Sequence, residues 1–236
     1  MSIVTTEPSH GARPEVDARD LLRGVPSLAG LSRDDLLALA ASARRRSYSR
    51  GQIIFHRDDP GDSLHIIEKG EVRVVLPSPE GEEVTLTVLS PGDFFGEVCL
   101  LDGGPRSATV IAATATETVV VERDRFVQWL QSRPTAATAI LAAVGRRLRA
   151  ADELVGALAF LDVHSRLARK LLQLAGPAAE GSQVELHLSQ DELASMVGVT
   201  RESVNKHLRF FKKQGAIEVY RRRIVLRSLE YLRHFA

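Results

Sequence analysis

The sequence of 236 residues is 44% apolar and 26% charged, and it carries a formal net charge of +1. This composition excludes a disordered, collagenous or fibrous chain and is typical of a globular protein. No apolar run approaches the roughly 18 residues that span a bilayer, and residues 1–20 lack an apolar signal region, so we expect a cytoplasmic protein with no membrane partner. The single cysteine, Cys99, excludes an internal disulfide, a cysteine-rich zinc site and an all-cysteine iron–sulfur cluster.

The near-neutral net charge hides a difference between two parts of the chain. Residues 162–236 contain 13 Lys and Arg against eight Asp and Glu, whereas residues 1–161 contain 18 against 22. A basic C-terminal third indicates a polyanionic partner, of which nucleic acid is the commonest. The alternative at this point is a solvated basic face.

The first 43 residues divide into an arm and a helix. Residues 1–20 are rich in Ser, Thr, Pro, Glu and Ala, which predicts a flexible arm. The leucines that follow recur with helical spacing, and this predicts a helix within residues 21–43 with Ser32 as its N-cap.

Residues 44–122 consist of short β-rich runs separated by turn signals, with a glycine about every ten residues. That rhythm is typical of an all-β sandwich or barrel. An α/β doubly wound domain would need helices of roughly ten residues between the strands, and the runs leave no room for them. We therefore predict a jelly-roll-like barrel with strands at Ile53–Phe55, Leu64–Ile67, Val72–Leu76, Val84–Leu89, Thr109–Ala112 and Val119–Val121.

A long helix is predicted after the barrel. A short helix over residues 123–131 and a break at Pro134 precede residues 135–161, which read as one helix about 40 Å long. Apolar residues recur along it with alternating spacings of four and three, the pattern of a two-stranded coiled coil. The alternative is that this seam packs on the chain's own barrel. The seam consists of Ala137, Leu141, Val144, Leu148, Ala151, Val155 and Leu158.

The C-terminal part reads as a small α+β unit. We predict a helix over His164–Ala175, a strand over Val184–Leu188, two short helices, a β-hairpin and a final helix from Ser228. Between the strand and the hairpin, Ser189 and Thr200 are N-caps of two helices, and Gly198 supplies the turn between them. Because the apolar spacing seats the second helix on the first, this arrangement is a helix-turn-helix.

The outer side of the second helix carries groups that read bases. Arg201 and Lys206 can donate to guanine O6 and N7, and Glu202 can accept from cytosine N4, so we predict that they enter the major groove. The following hairpin bears arginines at its corner, which suits phosphate contact by a wing. The alternative is a helical packing module with surface charges. The predicted DNA contacts are Ser189, Gln190, Thr200, Arg201, Glu202, Ser203, Lys206, Arg221 and Arg222.

A second dense motif spans residues 94–108 of the barrel. Glu97 and Arg106 are costly to bury in an apolar barrel unless each is paired. Three glycines free the backbone for close approach to a ligand, and Arg106 with the Ser107 hydroxyl can hold one phosphate. Glu97 can accept from a ribose hydroxyl. The alternative is a buried structural salt bridge between Glu97 and Arg106.

These motifs carry a resemblance to a known family. Phe95-Gly-Glu-Val-Cys-Leu-Leu followed by Pro105-Arg-Ser-Ala resembles the phosphate-binding cassette of cyclic-nucleotide-binding domains. Leu158-Ala-Phe-Leu-Asp-Val and Gly198-Val-Thr-Arg-Glu-Ser-Val resemble the hinge and the recognition helix of the CRP/FNR (catabolite activator) regulators. The resemblance covers about residues 21–227. It implies a transcription regulator that is a homodimer, binds cyclic AMP in each barrel, contacts a two-fold symmetric operator and meets RNA polymerase.

The resemblance also implies roles for single residues and a division of the chain. Gly96 and Glu97 would hold the ribose, Arg106 and Ser107 the cyclic phosphate, and Arg147 would support the pocket. The whole implied ligand set is Gly96, Glu97, Val98, Arg106, Ser107, Ala108, Arg147, Ala151 and Asp152. The fold class is then α+β, with an arm (1–20), a cyclic-nucleotide-binding barrel (21–134), a dimerisation helix (135–161) and a winged helix-turn-helix (162–236).

One departure from the family concerns the base of the nucleotide. The best-known cyclic-AMP responders place a threonine and then a serine against the adenine, where this chain has Ala151 and Asp152. Ala151 offers no side-chain hydrogen bond, whereas Asp152 can accept from the adenine amine or disfavour a ligand that presents a carbonyl oxygen, as guanine does. Cyclic di-GMP, another small ligand or no ligand at all therefore stay open as alternatives to cyclic AMP.

Other classes of function have less support. A cyclic-nucleotide-binding regulatory subunit of an enzyme or channel would not need base-reading residues. We expect neither an enzyme nor a metal protein, because no nucleophile has an evident partner base and the histidines lack metal-ligand spacing. Cys99 is either a redox switch or, as its place in the cassette favours, a small residue that fills space.

Overall fold

In a computed structural model of the chain, the structure describes residues 38–39, 43–79, 81–177 and 183–236. The arm predicted for residues 1–20 and the cap at Ser32 lie outside the described residues, as does most of the helix predicted for residues 21–43. The mixed helix and sheet content confirms the α+β fold class.

The N-terminal domain contains two antiparallel four-stranded sheets, with strand orders β1-β8-β3-β6 and β2-β7-β4-β5. Each of the six predicted strands is present, four of them with longer bounds than predicted. The strands are β1 Arg44–Tyr48, β2 Ile53–Phe55, β3 Ser63–Lys69, β4 Val72–Pro77, β5 Glu83–Leu89, β6 Phe94–Phe95, β7 Thr109–Ala112 and β8 Thr116–Glu122.

Two strands and one helix of this domain were not predicted from the sequence. Strand β1 pairs only with β8 at the sheet edge and is mostly polar, so no alternation of apolar residues marks it. Strand β6 has two residues, and helix α1 (Val98–Asp102) has five, too few for a periodic pattern. Phe94 and Phe95 of β6 are nevertheless buried, and they place the cassette on the barrel core.

Helix α2 (Arg123–Ser132) leads into α3 (Pro134–Phe160), the long helix. The expected break between the two helices is present one residue earlier than predicted, at Arg133, and Pro134 is the first residue of α3. Proline is tolerated there because its missing N–H has no intrahelical partner in the first turn of a helix. Helix α3 buries Ala136, Ile140 and Ala143 against the barrel core.

The predicted seam of α3 lies beside that barrel-facing row. Leu141, Leu148 and Val155 are exposed by 62 to 66%, and Phe160 at the end of the helix by 87%. Val144 instead packs in part on the barrel. Among the described residues, therefore, the seam as a whole does not pack on the barrel, and nothing in this part of the chain covers its apolar stripe.

The C-terminal domain has helices around a three-stranded antiparallel sheet of order β10-β11-β9. Helix α4 begins one residue earlier than predicted and β9 ends two residues earlier. Leu167, Leu193, Leu208 and Phe211 are fully buried in one apolar core. The elements are α4 Val163–Ala175, β9 Val184–Leu186, α5 Gln190–Val197, α6 Arg201–Lys213, β10 Ile217–Tyr220, β11 Arg223–Leu226 and α7 Leu229–Arg233.

Helix α5 docks on strand β5 of the barrel. The Ser195 and Thr85 hydroxyls share a buried hydrogen bond of 2.6 Å, and Arg50 of the barrel lies 3.1 Å from Glu192. A β-carbon placed on Gly198 would lie 2.8 Å from Leu158 Cδ2, so the turn of the helix-turn-helix also approaches the end of α3 closely. These contacts hold the C-terminal domain against the barrel of the same chain.

Candidate nucleotide and DNA sites

The cassette is built around Arg106, which is 4% exposed. Its Nη1 donates to the carbonyl oxygens of Ser63 (2.9 Å) and Gly96 (3.0 Å), and its Nη2 donates to the Ser63 hydroxyl (3.2 Å). The guanidinium also lies 4.1 Å from the centre of the Phe55 ring. Its Nε is buried with no hydrogen-bond partner, and no carboxylate of the described residues forms an ion pair with it. A buried cation is therefore left without an anion.

Glycine makes this position of Arg106 possible. Gly96 has φ +83°, and a β-carbon there would meet Arg106 Nη1 at 2.3 Å. A β-carbon on Gly61 would meet the Cys99 sulfur at the same short distance. Cys99 is buried, and its thiol donates to the Gly96 carbonyl at 3.3 Å, which fits the space-filling interpretation.

Glu97 is paired with the long helix and not with Arg106. Arg147 Nη1 lies 2.5 Å from Glu97 Oε1, and Arg147 Nη2 donates to the Phe94 carbonyl. The alternative of a Glu97–Arg106 salt bridge is therefore wrong. Because Arg147 belongs to α3, this pair ties the cassette to the helix that bears the exposed seam.

The other predicted ligand contacts differ in how near they lie to Arg106. Ser107 is exposed and Ala108 is buried at the start of the chain segment that enters β7, while Val98 begins α1. Ala151 follows Arg147 by one helical turn and is partly exposed, and Asp152 is exposed. No described contact joins Ala151 or Asp152 to the cassette.

His65 lies beneath the same site. Its ring stacks on Phe95 with centroids 4.9 Å apart, and its Nδ1 lies 3.4 Å from Thr118 Oγ1. Burial, reinforced by the nearby Arg106 charge, lowers the pKa of His65 from 6.5 to about 3. The imidazole is therefore neutral at physiological pH.

His65→Phe is expected to make the protein less sensitive to acid. Since the unfolded chain binds a proton near pH 6.5 and the folded chain only near pH 3, the free energy of unfolding falls as the pH drops through this window. From pH 6.5 to 4 the histidine contributes a loss of about 3 kcal/mol, at about 1.4 kcal/mol per pH unit. Urea titrations across this range would measure it, with exposed His187→Phe as the control; equal pH dependence in His65→Phe and wild type would contradict the assignment.

The helix-turn-helix has the predicted caps. Ser189 and Glu192 form a reciprocal capping box at the start of α5, and Thr200 Oγ1 accepts from the Ser203 amide at the start of α6. Gly198 ends α5 with φ +71°, a left-handed conformation that favours glycine. These caps fix where α5 and α6 begin.

The outer face of α6 holds a wider set of polar groups than the sequence analysis named. Arg201, Glu202 and Lys206 are all exposed. Asn205 and Arg209 were missed, although they follow Arg201 at intervals of four residues, the spacing that keeps side chains on one helix face. One open groove on this face is lined by Glu202, Asn205, Lys206, Arg209, Phe210 and Lys213.

The wing turn and the start of α5 carry the other predicted DNA contacts. Arg221 and Arg222 form the exposed turn between β10 and β11. Gln190 is the first residue of α5 and is partly exposed. Several arginines of this surface already have carboxylate partners within the domain. The pairs are Arg201–Asp191 at 3.4 Å, Arg222–Glu192 at 3.6 Å and Arg223–Glu185 at 3.4 Å.

The described residues form neither a metal site nor a membrane-spanning helix. Across residues 43–79, 81–177 and 183–236, no three His, Cys, Asp or Glu side chains come together as metal ligands. His164 and His207 instead contact each other, with ring nitrogens 3.0 Å apart. Within the same part of the chain, no helix is both long enough and apolar enough to cross a bilayer.

Comparison with known proteins gives consistent matches to both halves of the chain. Residues 45–133 match the model of the cyclic nucleotide-binding domain, and residues 165–235 match that of the Crp-like helix-turn-helix domain. A CRP-like cAMP-activated global transcriptional regulator of Mycobacterium tuberculosis is 34% identical over 207 residues, which cover 86% of this chain and 92% of that protein. The cAMP-activated global transcriptional regulator CRP of Escherichia coli is 36% identical over 185 residues, covering 76% and 87%.

Solved structures with the same fold include the c-di-GMP responsive global regulator CLP of Xanthomonas campestris. It is 28% identical, with a TM-score of 0.74, and the match covers 84% of this chain and 100% of that one.

Proposed function

Because the chain belongs to the CRP/FNR family of DNA-binding transcription regulators, we propose that it is a homodimer whose DNA binding is controlled by cyclic AMP held in the barrel. The family consists of regulators and not of enzymes. The division proposed for the chain assigns residues 21–134 to nucleotide binding, 135–161 to dimerisation and 162–236 to DNA binding.

The observation that carries the nucleotide proposal is the buried guanidinium of Arg106. It has no carboxylate partner among the described residues, and its Nε lacks any hydrogen bond. Desolvating a cation is costly unless an anion compensates it, and a singly charged cyclic phosphate supplies that anion together with acceptor oxygens. The exposed Ser107 hydroxyl beside Arg106 supplies a further donor.

The proposed contact with the ribose is made by Glu97, whose carboxylate is oriented by Arg147. One Glu97 oxygen faces Arg147, and no described residue is bonded to the other, which can accept from a ribose hydroxyl. Through this pair a nucleotide acts on α3, and we infer that it shifts the equilibrium in how α3 continues through Phe160, Leu161 and Asp162. Asp162 caps α4 by accepting from the Ser165 amide at 2.8 Å, so the hinge leads straight into the DNA-binding domain.

The two residues expected near the base of the nucleotide, Asp152 and Ala151, favour different effectors. Asp152 is exposed and can accept from the adenine amine, which favours cyclic AMP over a guanine ligand. Ala151, however, supplies no hydrogen bond, and the regulator CLP, similar in fold, is described as c-di-GMP responsive. Cyclic di-GMP is therefore the second candidate effector, and control by another ligand or by none is the third.

Calorimetric titration of cyclic AMP into protein freed of carried nucleotide tests the effector, with cyclic GMP and cyclic di-GMP as controls. We expect saturable binding near one cyclic AMP per chain. Binding of cyclic di-GMP alone would identify cyclic di-GMP, and not cyclic AMP, as the effector. No binding of any of the three would refute nucleotide control of the barrel.

The DNA-binding proposal follows the two-fold symmetry of a dimer. Two recognition helices related by such symmetry meet half-sites about one helical turn apart, so the operator is expected to be a palindrome. Arg201, Glu202 and Lys206 then read bases while the wing turn contacts phosphates. Contact with RNA polymerase stays a prediction that follows from regulation of transcription.

Arg201→Ala is expected to weaken binding to the operator by about 1 to 3 kcal/mol and to relax specificity at one base pair. Arg201 is the first residue of α6, and its guanidinium is exposed. The guanidinium lies 3.4 Å from Asp191, a surface contact that DNA can replace. Binding to a set of single-base operator variants would measure the effect, with Arg125→Ala in the barrel as the control. A uniform loss across all variants would make Arg201 a phosphate contact instead.

A further inference from the structure

Asn205 occupies a costly position in the recognition helix α6. It lies in the second turn, is partly buried, and makes no side-chain hydrogen bond with any described residue. Asparagine is a weaker helix former than alanine because its amide competes for the backbone groups. In the free protein, then, no side-chain hydrogen bond between Asn205 and a described residue offsets this cost, which is typical of a residue kept for binding.

The position of Asn205 on the helix lies within the face predicted to read DNA. At about 100° per residue, Asn205 is rotated about 40° from Arg201, whereas Lys206 is rotated about 140° in the same direction. Asn205 therefore projects between these two base-reading side chains. It also borders the open groove of α6 together with Glu202 and Arg209.

We propose that Asn205 is a specificity-determining residue that reads an adenine in the operator, which rests on the proposed role of α6 as the recognition helix. The adenine edge in the major groove presents an acceptor, N7, and a donor, the N6 amine. Arg201, Lys206 and Arg209 only donate and ionised Glu202 only accepts, whereas the Asn205 amide does both. Asn205 is thus the side chain of this groove that can bond both atoms of that edge.

The helix geometry also restricts where the adenine lies. Asn205 is the fourth residue after Arg201, which corresponds to a rise of about 6 Å along the helix axis. Successive base pairs are about 3.4 Å apart. The adenine is therefore expected within about two base pairs of the base that Arg201 contacts.

Selection of bound sequences from a randomised DNA pool tests the proposal with the full chain, in the presence and in the absence of cyclic AMP. Wild type is expected to select an adenine in each half-site that Asn205→Ala does not select, with a loss of preference of about tenfold at that position. Asn205→Asp, which can only accept, is expected to move the preference toward cytosine. Gln214→Ala is the matched control, since it removes an exposed amide beyond the end of the same helix.

A stability measurement separates this role from a structural one. Thermal unfolding of Asn205→Ala is expected at or above the temperature of wild type, because alanine is the better helix former. Unchanged base preferences in Asn205→Ala, or an equal loss of affinity for every sequence, would overturn the proposal, and so would a changed preference at a base other than adenine. If the wild type itself selects no sequence, the proposed role of α6 as the recognition helix is wrong. That outcome differs from one in which wild type selects a sequence but Asn205→Ala has the same preferences, which refutes only the role of Asn205.

Discussion

Arg106→Ala is expected to weaken cyclic AMP binding by at least a hundredfold while leaving the oligomeric state unchanged. Two or more charge-assisted hydrogen bonds to the phosphate, each worth about 1.5 to 3 kcal/mol, would be lost with the guanidinium. The loss is larger than for a surface arginine because Arg106 is 4% exposed, where water screens its charge least. Calorimetric titration together with sedimentation velocity would measure both quantities.

Two further variants make this result specific. Arg106→Lys retains the charge but not the planar fork, so we expect binding between that of wild type and that of Arg106→Ala. Arg57→Ala removes an exposed arginine of the same domain and is expected to bind cyclic AMP as wild type does. Unchanged affinity in Arg106→Ala, with a normal far-ultraviolet circular dichroism spectrum, would show that the nucleotide binds elsewhere.

Leu148→Glu is expected to convert the proposed dimer to monomers and to abolish tight binding to the palindromic operator that such a dimer would recognise. Leu148 is 62% exposed and lies in the middle of the seam, between Leu141 and Val155. In a two-stranded coil the new carboxylates of the two chains would face one another in a desolvated interface, at a cost of several kcal/mol. That cost corresponds to a loss of about a thousandfold or more in dimer affinity.

The control for the seam is Ala142→Glu, an exposed position of the same helix that points away from the seam. Sedimentation velocity over a range of protein concentrations would compare both variants with wild type. A dimer that persists in Leu148→Glu would show that α3 is not the interface. Monomers in both variants would mean that added charge on α3, and not its place on the seam, disrupts assembly.

The sequence predicts those parts of the fold that local patterns encode. Both N-caps of the helix-turn-helix and the left-handed glycine between its helices follow from residues close together in the chain, and the structure confirms them. Strand β6 and helix α1 could not be found in this way, because so few residues show no period.

Contacts between residues that are far apart in the sequence could not be predicted either. Nothing local distinguishes a Glu97–Arg106 pair from the observed Glu97–Arg147 pair, which joins residues 50 positions apart. The docking of α5 on the barrel depends likewise on Ser195 and Thr85, separated by 110 residues, and neither carries a sequence signature. For the same reason no local pattern predicts that Arg106 is buried without a carboxylate partner among the described residues.

The carboxylate partners of the arginines proposed to contact DNA bear on how ionic strength would act on the complex. A cation that approaches a phosphate from water releases a counter-ion from the DNA, and this release makes binding weaken steeply with salt. Arg201 is already paired with Asp191, and Arg222 shares Glu192 with Arg50, so neighbouring carboxylates neutralise part of the charge that each arginine would bring to the DNA. The net number of ions released is then smaller than the number of phosphates contacted. Association with DNA is accordingly expected to be less sensitive to the salt concentration than the count of basic residues on this surface implies.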